Sequence, residues 1–125
     1  MMSTVPTTVE TLRRAGIPAF SIAPGKPDRG TLLDVGLDFV EVGRLAGALA
    51  ASVLHGTEPS TIPIRDVLDE VPKRIVINAL ALKGLKEPWR VSPGARQAAT
   101  VLVDETGIHD RSPTQPADLP GPARD

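Results

Sequence analysis

GTLLDVGLDFVEVGRLAGALAASVLHG, residues 30–56, changes its apolar rhythm at Asp38. Before it, Leu32 to Leu37 is a short apolar run and reads as a strand. After it, Val42, Leu45, Ala46, Leu49 and Val53 recur at helical spacing. Asp38-x-x-Glu41 is a capping box: the first carboxylate accepts an orphan backbone amide and the second reaches back. The spacing predicts a helix from about Phe39 to His55 with that apolar stripe against a sheet. His55-Gly56 closes it with a cation-capable residue and a left-handed stop. Gly43 and Gly47 share one face and read as a smooth strip where another backbone approaches closely.

Upstream, Thr7-x-x-Glu10 reads as a second capping box opening a first helix, with Arg13 and Arg14 in its last turn and Gly16 after it. Ile17 to Ala23 reads as a buried strand ending at Pro24-Gly25. A polar loop then runs to about Gly30. Downstream, Ile62 to Val67 and Arg74 to Ile77 are further candidate strands. Asn78 opens a short helix ending near Gly84. Ser92-Pro93 opens another, with proline at the first helical position. Residues 105–125 are proline-rich and poor in apolar side chains, and are expected to form a disordered tail. Strands and helices in this alternation predict an α/β domain with a mainly parallel sheet. Such a domain normally opens on its central strands, whereas this one opens on a helix. The order therefore reads as the second half of a larger fold.

Composition narrows the function. The 125 residues carry 15 acidic and 14 basic side chains, net −1, which gives no general attraction to nucleic acid. Phe20, Phe39 and Trp89 are the aromatics, too few for a base-stacking platform. No cysteine is present, so thiol chemistry and disulfides are excluded. The first residues lack the basic start and apolar run of a secretory signal, and no apolar run is long enough to span a membrane. As written, the chain is expected in the cytoplasm, with no membrane insertion.

Motifs that carry chemistry are missing. His55 and His109 lie outside metal-ligand spacing, and no serine has a Gly-x-Ser-x-Gly context. Gly25 to Gly30 lacks the Lys-Ser/Thr ending of a phosphate loop and precedes a strand rather than a helix. No catalytic residue, metal or cofactor is expected. Trp89 reads as a plug on the core or as a partner hot spot. Ser21, Asp34 and Asp38 lie at strand ends, where open α/β sheets bind ligands. Asp38 is also a natural helix cap, and Ser21 an ordinary strand-end hydrogen-bonding group.

The segments also carry a resemblance. Ala15-Gly16-Ile17-Pro18-Ala19-Phe20-Ser21 resembles the "AGIPVFS" strand of ABC-transporter substrate-binding proteins with the type I periplasmic-binding-protein fold. Gly30 to Phe39 resembles the family's "GALxxxGxDY" strand, and Glu41 to Ala51 its "EVGRxAGxxAA" helix. Leu54 to Pro59 with Ile62 to Ile64 matches "LxGExPxxIPV", and Val76 to Gly84 matches "VxNxxxAxxxG". The match runs from about Thr7 to Asp104. The resemblance implies a partial doubly wound lobe: residues 1–104 as part of the C-terminal lobe, 105–125 as tail, with the first lobe absent. It implies a small solute such as an amino acid, held without catalysis in an interlobe cleft. It places Ser21 and Asp38 as ligand contacts, Asp38 near a ligand hydroxyl or ammonium. ABC permease subunits are the implied partners of a full-length protein, which would be periplasmic or at the cell surface. Self-association through an open sheet edge is a further expectation. The alternative is an intracellular ligand-sensing or interaction domain of the same lobe architecture.

Overall fold

The computed structural model describes residues 5–64, 66 and 69–112. The chain forms two compact units, one through residues 5–36 and 73–112, the other through 37–72. The first holds a five-stranded sheet, in spatial order β1 (Phe20–Ser21), β2 (Leu33–Leu37), β3 (Lys73–Asn78), β4 (Val101–Asp104) and β5 (Gly107–Asp110). β1 runs parallel to β2 with Phe20 opposite Leu33 and Ser21 opposite Asp34. β3 runs parallel to β4, and β5 returns antiparallel to β4. The fold is mixed α/β with a mostly parallel sheet, as the alternation of segments predicts.

β3 and β4 carry the core. Val76 and Val101 are fully buried, and Ile77, Ala99 and Leu102 cluster with Leu33, Ile75, Val91 and Ala95 against them. The β-branched run at residues 75–77 suits a strand buried on both faces. Helix α3 (Pro93–Ala98) begins where expected, with the Ser92 hydroxyl accepting the Ala95 amide at 3.1 Å. Asn78 likewise accepts the Leu80 amide at 3.0 Å, opening a 3-10 turn over Ala79–Leu82.

Helix α1 spans Val5–Arg14, so Thr7 lies inside it and does not cap it. Glu10 turns forward to Arg13 and Arg14, each at 2.9 Å, because guanidinium groups three and four residues on are its neighbours on the helix surface. Gly16, at φ 69°, ends the helix. Its own carbonyl accepts the Lys86 amide at 2.9 Å, and a Cβ there would sit 2.8 Å from the Lys86 side chain.

The expected buried strand over Ile17–Ala23 is corrected. Only Phe20 and Ser21 pair, Ala19 is buried, and Ile22 is 92 % exposed. Pro18 and Pro24 bracket the segment, and neither can donate to a ladder. Pro63 has the same effect downstream: Ile62–Ile64 follow a 3-10 turn and form no strand, while Val67 lies outside the described residues. The tail boundary at residue 105 is corrected too. Residues 105 and 106 make a tight turn before β5, with the Asp104 carboxylate accepting the Thr106 amide at 2.8 Å. Gly107 completes that turn at φ 133°, a backbone conformation suited to glycine. The rest of the expected tail, 113–125, lies outside the described residues.

The second unit is built on α2 (Phe39–Leu54). Asp38 caps it through Oδ1, which accepts the Val40 and Glu41 amides at 3.0 and 3.4 Å. The Asp38 amide donates to Pro72 O at 3.0 Å, closing the unit where the chain enters and leaves. The expectation that Val42, Leu45, Ala46, Leu49 and Val53 pack away is corrected in part: Val42 and Val53 are half-buried, but Ala46 is exposed and Leu45 and Leu49 stay 39 % and 49 % exposed. Within the unit they share an apolar groove of about 900 Å³ with Leu37, the Pro59–Ile64 segment and Val71. An extended segment is a thinner cover than the second layer an apolar helix stripe needs. Gly43 and Gly47 are not packing glycines either, since a Cβ at either would meet nothing within 4 Å.

Candidate functional site

The carboxyl ends of β1 and β2 bring together three polar side chains of the first unit. Register alone sets Ser21 beside Asp34. Leu33 faces the core cluster, so by strand alternation Asp34 faces the opposite side of the sheet. It is 1 % exposed. A carboxylate set into an apolar strand requires a counter-ion. Arg29 supplies it from the loop between the strands, with Nη2 2.9 Å from Asp34 Oδ1.

That single Nη2 is heavily subscribed. It also donates to Ser21 Oγ at 2.8 Å and to Ala23 O at 2.6 Å, three acceptors for two protons. Elsewhere on the same pair, Arg29 Nε and Asp34 Oδ2 are buried and have no hydrogen-bond partner. A buried polar atom without a partner is destabilising, more so on a charged group. The Ser21 hydroxyl accepts the Ala23 amide at 3.1 Å and donates to Ala23 O at 3.2 Å. Ser21 therefore closes the strand-end turn as well as facing Arg29.

Glycines shape the loop that carries Arg29. A methyl group on Gly36 would overlap the Pro24 ring, so the start of the loop is seated on β2. At Gly25 a Cβ would come 2.6 Å from Arg29 Nη1, so this glycine leaves room for the guanidinium.

The two residues expected to touch a ligand belong to different units, Ser21 to the first and Asp38 to the second. Ser21 joins Arg29 and Asp34. Asp38 is buried and acts as the α2 cap. Glu41, also buried, holds Arg44 at 2.6 Å. Arg29 is the member sequence reasoning missed. The available signal was Asp34 itself: an acidic side chain inside Leu32-Leu33-Asp34-Val35 demands a cation, and Arg29 stands on the loop that leads into that strand.

Two other places have the look of a site. On the face of the sheet opposite Asp34, Phe20, Leu33, Val35, Ile77, Trp89 and Ala95 contribute to a recess of about 400 Å³. Trp89 is 47 % exposed and its ring lies 5.7 Å from that of Phe20, tilted by 56°, so it borders this recess rather than plugging the core. In the β4–β5 hairpin, His109 Nε2 lies 2.8 Å from Thr106 Oγ1 and 3.2 Å from Asp104 Oδ1. Both contacts use one ring nitrogen, whereas a proton relay needs the hydroxyl and the carboxylate on opposite nitrogens. The Thr106 hydroxyl and amide, with His109, hold the Asp104 carboxyl down to about 2. Among the described residues no three His, Asp or Glu side chains group as a metal site, and no helix is long and apolar enough to cross a membrane.

A family model described as ABC transporter substrate binding protein matches residues 1–87. Among solved structures, a conserved domain protein from Vibrio cholerae O1 biovar eltor str. N16961 has a TM-score of 0.61 and 21 % identity, over 78 % of this chain and 31 % of that one. The likeness shows a shared fold, and the chain spans under a third of that neighbour. No curated protein matches the chain.

Proposed function

This chain belongs to the ABC transporter substrate binding protein family, and we propose that it forms part of the solute site of an ABC importer. The family supports a solute-binding role. The finer reading is that a small solute such as an amino acid is held at the strand ends without any bond being made or broken. The observation that carries it is the Ser21–Arg29–Asp34 cluster at the ends of β1 and β2, half-buried at Ser21 and Arg29 and buried at Asp34, with two polar atoms lacking partners. Open α/β sheets bind ligands at that place, and a buried polar atom without a partner calls for one, which a solute atom would supply.

Ser21 and Asp38 are the proposed ligand contacts. Ser21 would offer its hydroxyl, and Asp38 its carboxylate to a ligand hydroxyl or ammonium. Capping engages Asp38 Oδ1 and is compatible with a second role for the side chain. In a full-length protein, closure of two lobes on the solute would create the form that docks on permease subunits. A periplasmic or cell-surface location belongs to the same reading. So does self-association through β1, a two-residue strand at the edge of the sheet.

The test pairs Ser21→Ala with Asp38→Asn. Asparagine caps a helix as well as aspartate does, so Asp38→Asn removes charge while keeping α2. Calorimetry with a panel of amino acids and other small solutes should show weaker binding for both variants, with the melting temperature unchanged for Asp38→Asn and lowered for Ser21→Ala, which also loses the strand-end turn. Equal binding by both variants and the native chain would remove these two residues from the site.

A further inference from the structure

We propose that Asp34 anchors a cation subsite and that Arg29 is its exchangeable internal counter-ion, displaced by a solute carrying an ammonium or guanidinium group. This rests on the reading of the strand ends as the solute site, and it names the class of solute.

The Arg29–Asp34 pair is incompletely made. Arginine and carboxylate can form two parallel hydrogen bonds, and structural pairs exploit that fork. Here the contact is single, through Nη2 to Oδ1 at 2.9 Å. Arg29 Nε and Asp34 Oδ2, the atoms that could complete a second bond, are both buried without partners. The guanidinium neutralises the carboxylate but leaves half of its bonding capacity unused.

The two partners are also held differently. Asp34 sits in β2 and is 1 % exposed. Arg29 rides on a loop, and its side chain keeps 20 % exposure. The loop's start is pinned by Pro24 on Gly36, and its end turns at Gly30, φ 94°. Between these points the Arg29 amide makes a long backbone bond, 3.3 Å to Lys26 O. Swinging the side chain outward exchanges its bonds to Ser21 Oγ and to Ala23 O, the latter already exposed, for bonds to water, whereas moving Asp34 would break the sheet.

Charge then selects the solute. An ammonium or guanidinium can donate to Oδ2 and Oδ1 together, and the released Arg29 reaches water. A carboxylate solute could pair with Arg29, but that would leave Asp34 buried and uncompensated, which is strongly unfavourable. A neutral amide has no charge with which to replace Arg29.

The experiment follows the Arg29 Nε–H and Asp34 amide resonances of the labelled native chain. Methylguanidinium and methylammonium are titrated against acetamide, acetate and sodium chloride at matched ionic strength. The two organic cations should move both signals saturably, and the three controls should not. Arg29→Gln removes the internal competitor and should bind the same cations at least about ten-fold more tightly, since the competent fraction of sites rises. Asp34→Asn should abolish the response. An Arg29 Nε–H signal unmoved by the cations, or a response that survives Asp34→Asn, would overturn the proposal. Should Arg29→Gln fail to fold, the native-chain titration and Asp34→Asn decide alone. A neutral or acidic solute that shifts Ser21 and Asp38 while Arg29 Nε–H stays still would keep the solute-binding reading and remove the cation subsite. No response at Ser21, Asp34 or Asp38 to any solute would remove both.

Discussion

At Gly43 and Gly47 a methyl group would find open space. Each therefore costs α2 the entropy penalty of glycine without a packing benefit. Gly43→Ala and Gly47→Ala should each raise stability by up to about 1 kcal/mol in thermal or urea unfolding. Gly36→Ala should lower it by about 1–3 kcal/mol, because the new methyl overlaps Pro24. For the buried ion pair, Arg29→Ala should cost about 3–5 kcal/mol by leaving Asp34 uncompensated. Replacing both with Met and Leu should recover much of that loss. The hairpin adds a pH dependence. The Asp104 carboxyl is lowered from 3.8 to about 2, so its contribution is complete above the higher value and is lost as pH falls through the lower one. Melting temperatures across that window should fall more steeply for the native chain than for Asp104→Asn. The Asp38 cap was readable from sequence because it concerns amides two and three residues away. Arg29 was not, because its role depends on a loop folding back onto a strand.

Elements whose signals are local and unopposed were legible: α2, the Ser92 cap, the Asn78 cap and the β-branched strand β3. Thr7-x-x-Glu10 had the letters of a capping box, but Arg13 and Arg14 offered Glu10 charged partners and the helix began earlier. Ile17–Ala23 had the apolar content of a buried strand, but two prolines reduced its pairing to Phe20 and Ser21. β5 was missed because Gly107–Asp110 is exposed throughout and carries no apolar pattern; backbone pairing with β4 makes it a strand. The same contrast between pattern and burial is measurable. Ile77→Ala, in the core of β3, should cost about 2–5 kcal/mol. Leu49→Ala, half exposed on α2, should cost well under that, although both residues belong to equally clear apolar patterns. Comparable losses in urea unfolding would mean that the α2 stripe is covered in solution.

For the molecule as a whole, order and spacing of segments were enough for the α/β class and the mostly parallel sheet, and the motif resemblance for the family. They did not foretell that the apolar stripe of α2 would line an open groove, since amphipathic spacing states which face is apolar and not what covers it. Nor did they show which strand-end residues converge, because convergence is set by the register of β1 on β2 and by the course of the loop between them. The central claim is that a solute is held at those strand ends. The most direct test is to map amide shifts of the labelled chain while it is titrated with amino acids, small organic cations and sugars. Saturable shifts concentrated at Ser21, Arg29, Asp34 and Asp38 are the predicted result. Shifts confined to the Phe20–Trp89 recess or to the α2 groove, with these four residues unmoved by every solute, would contradict it.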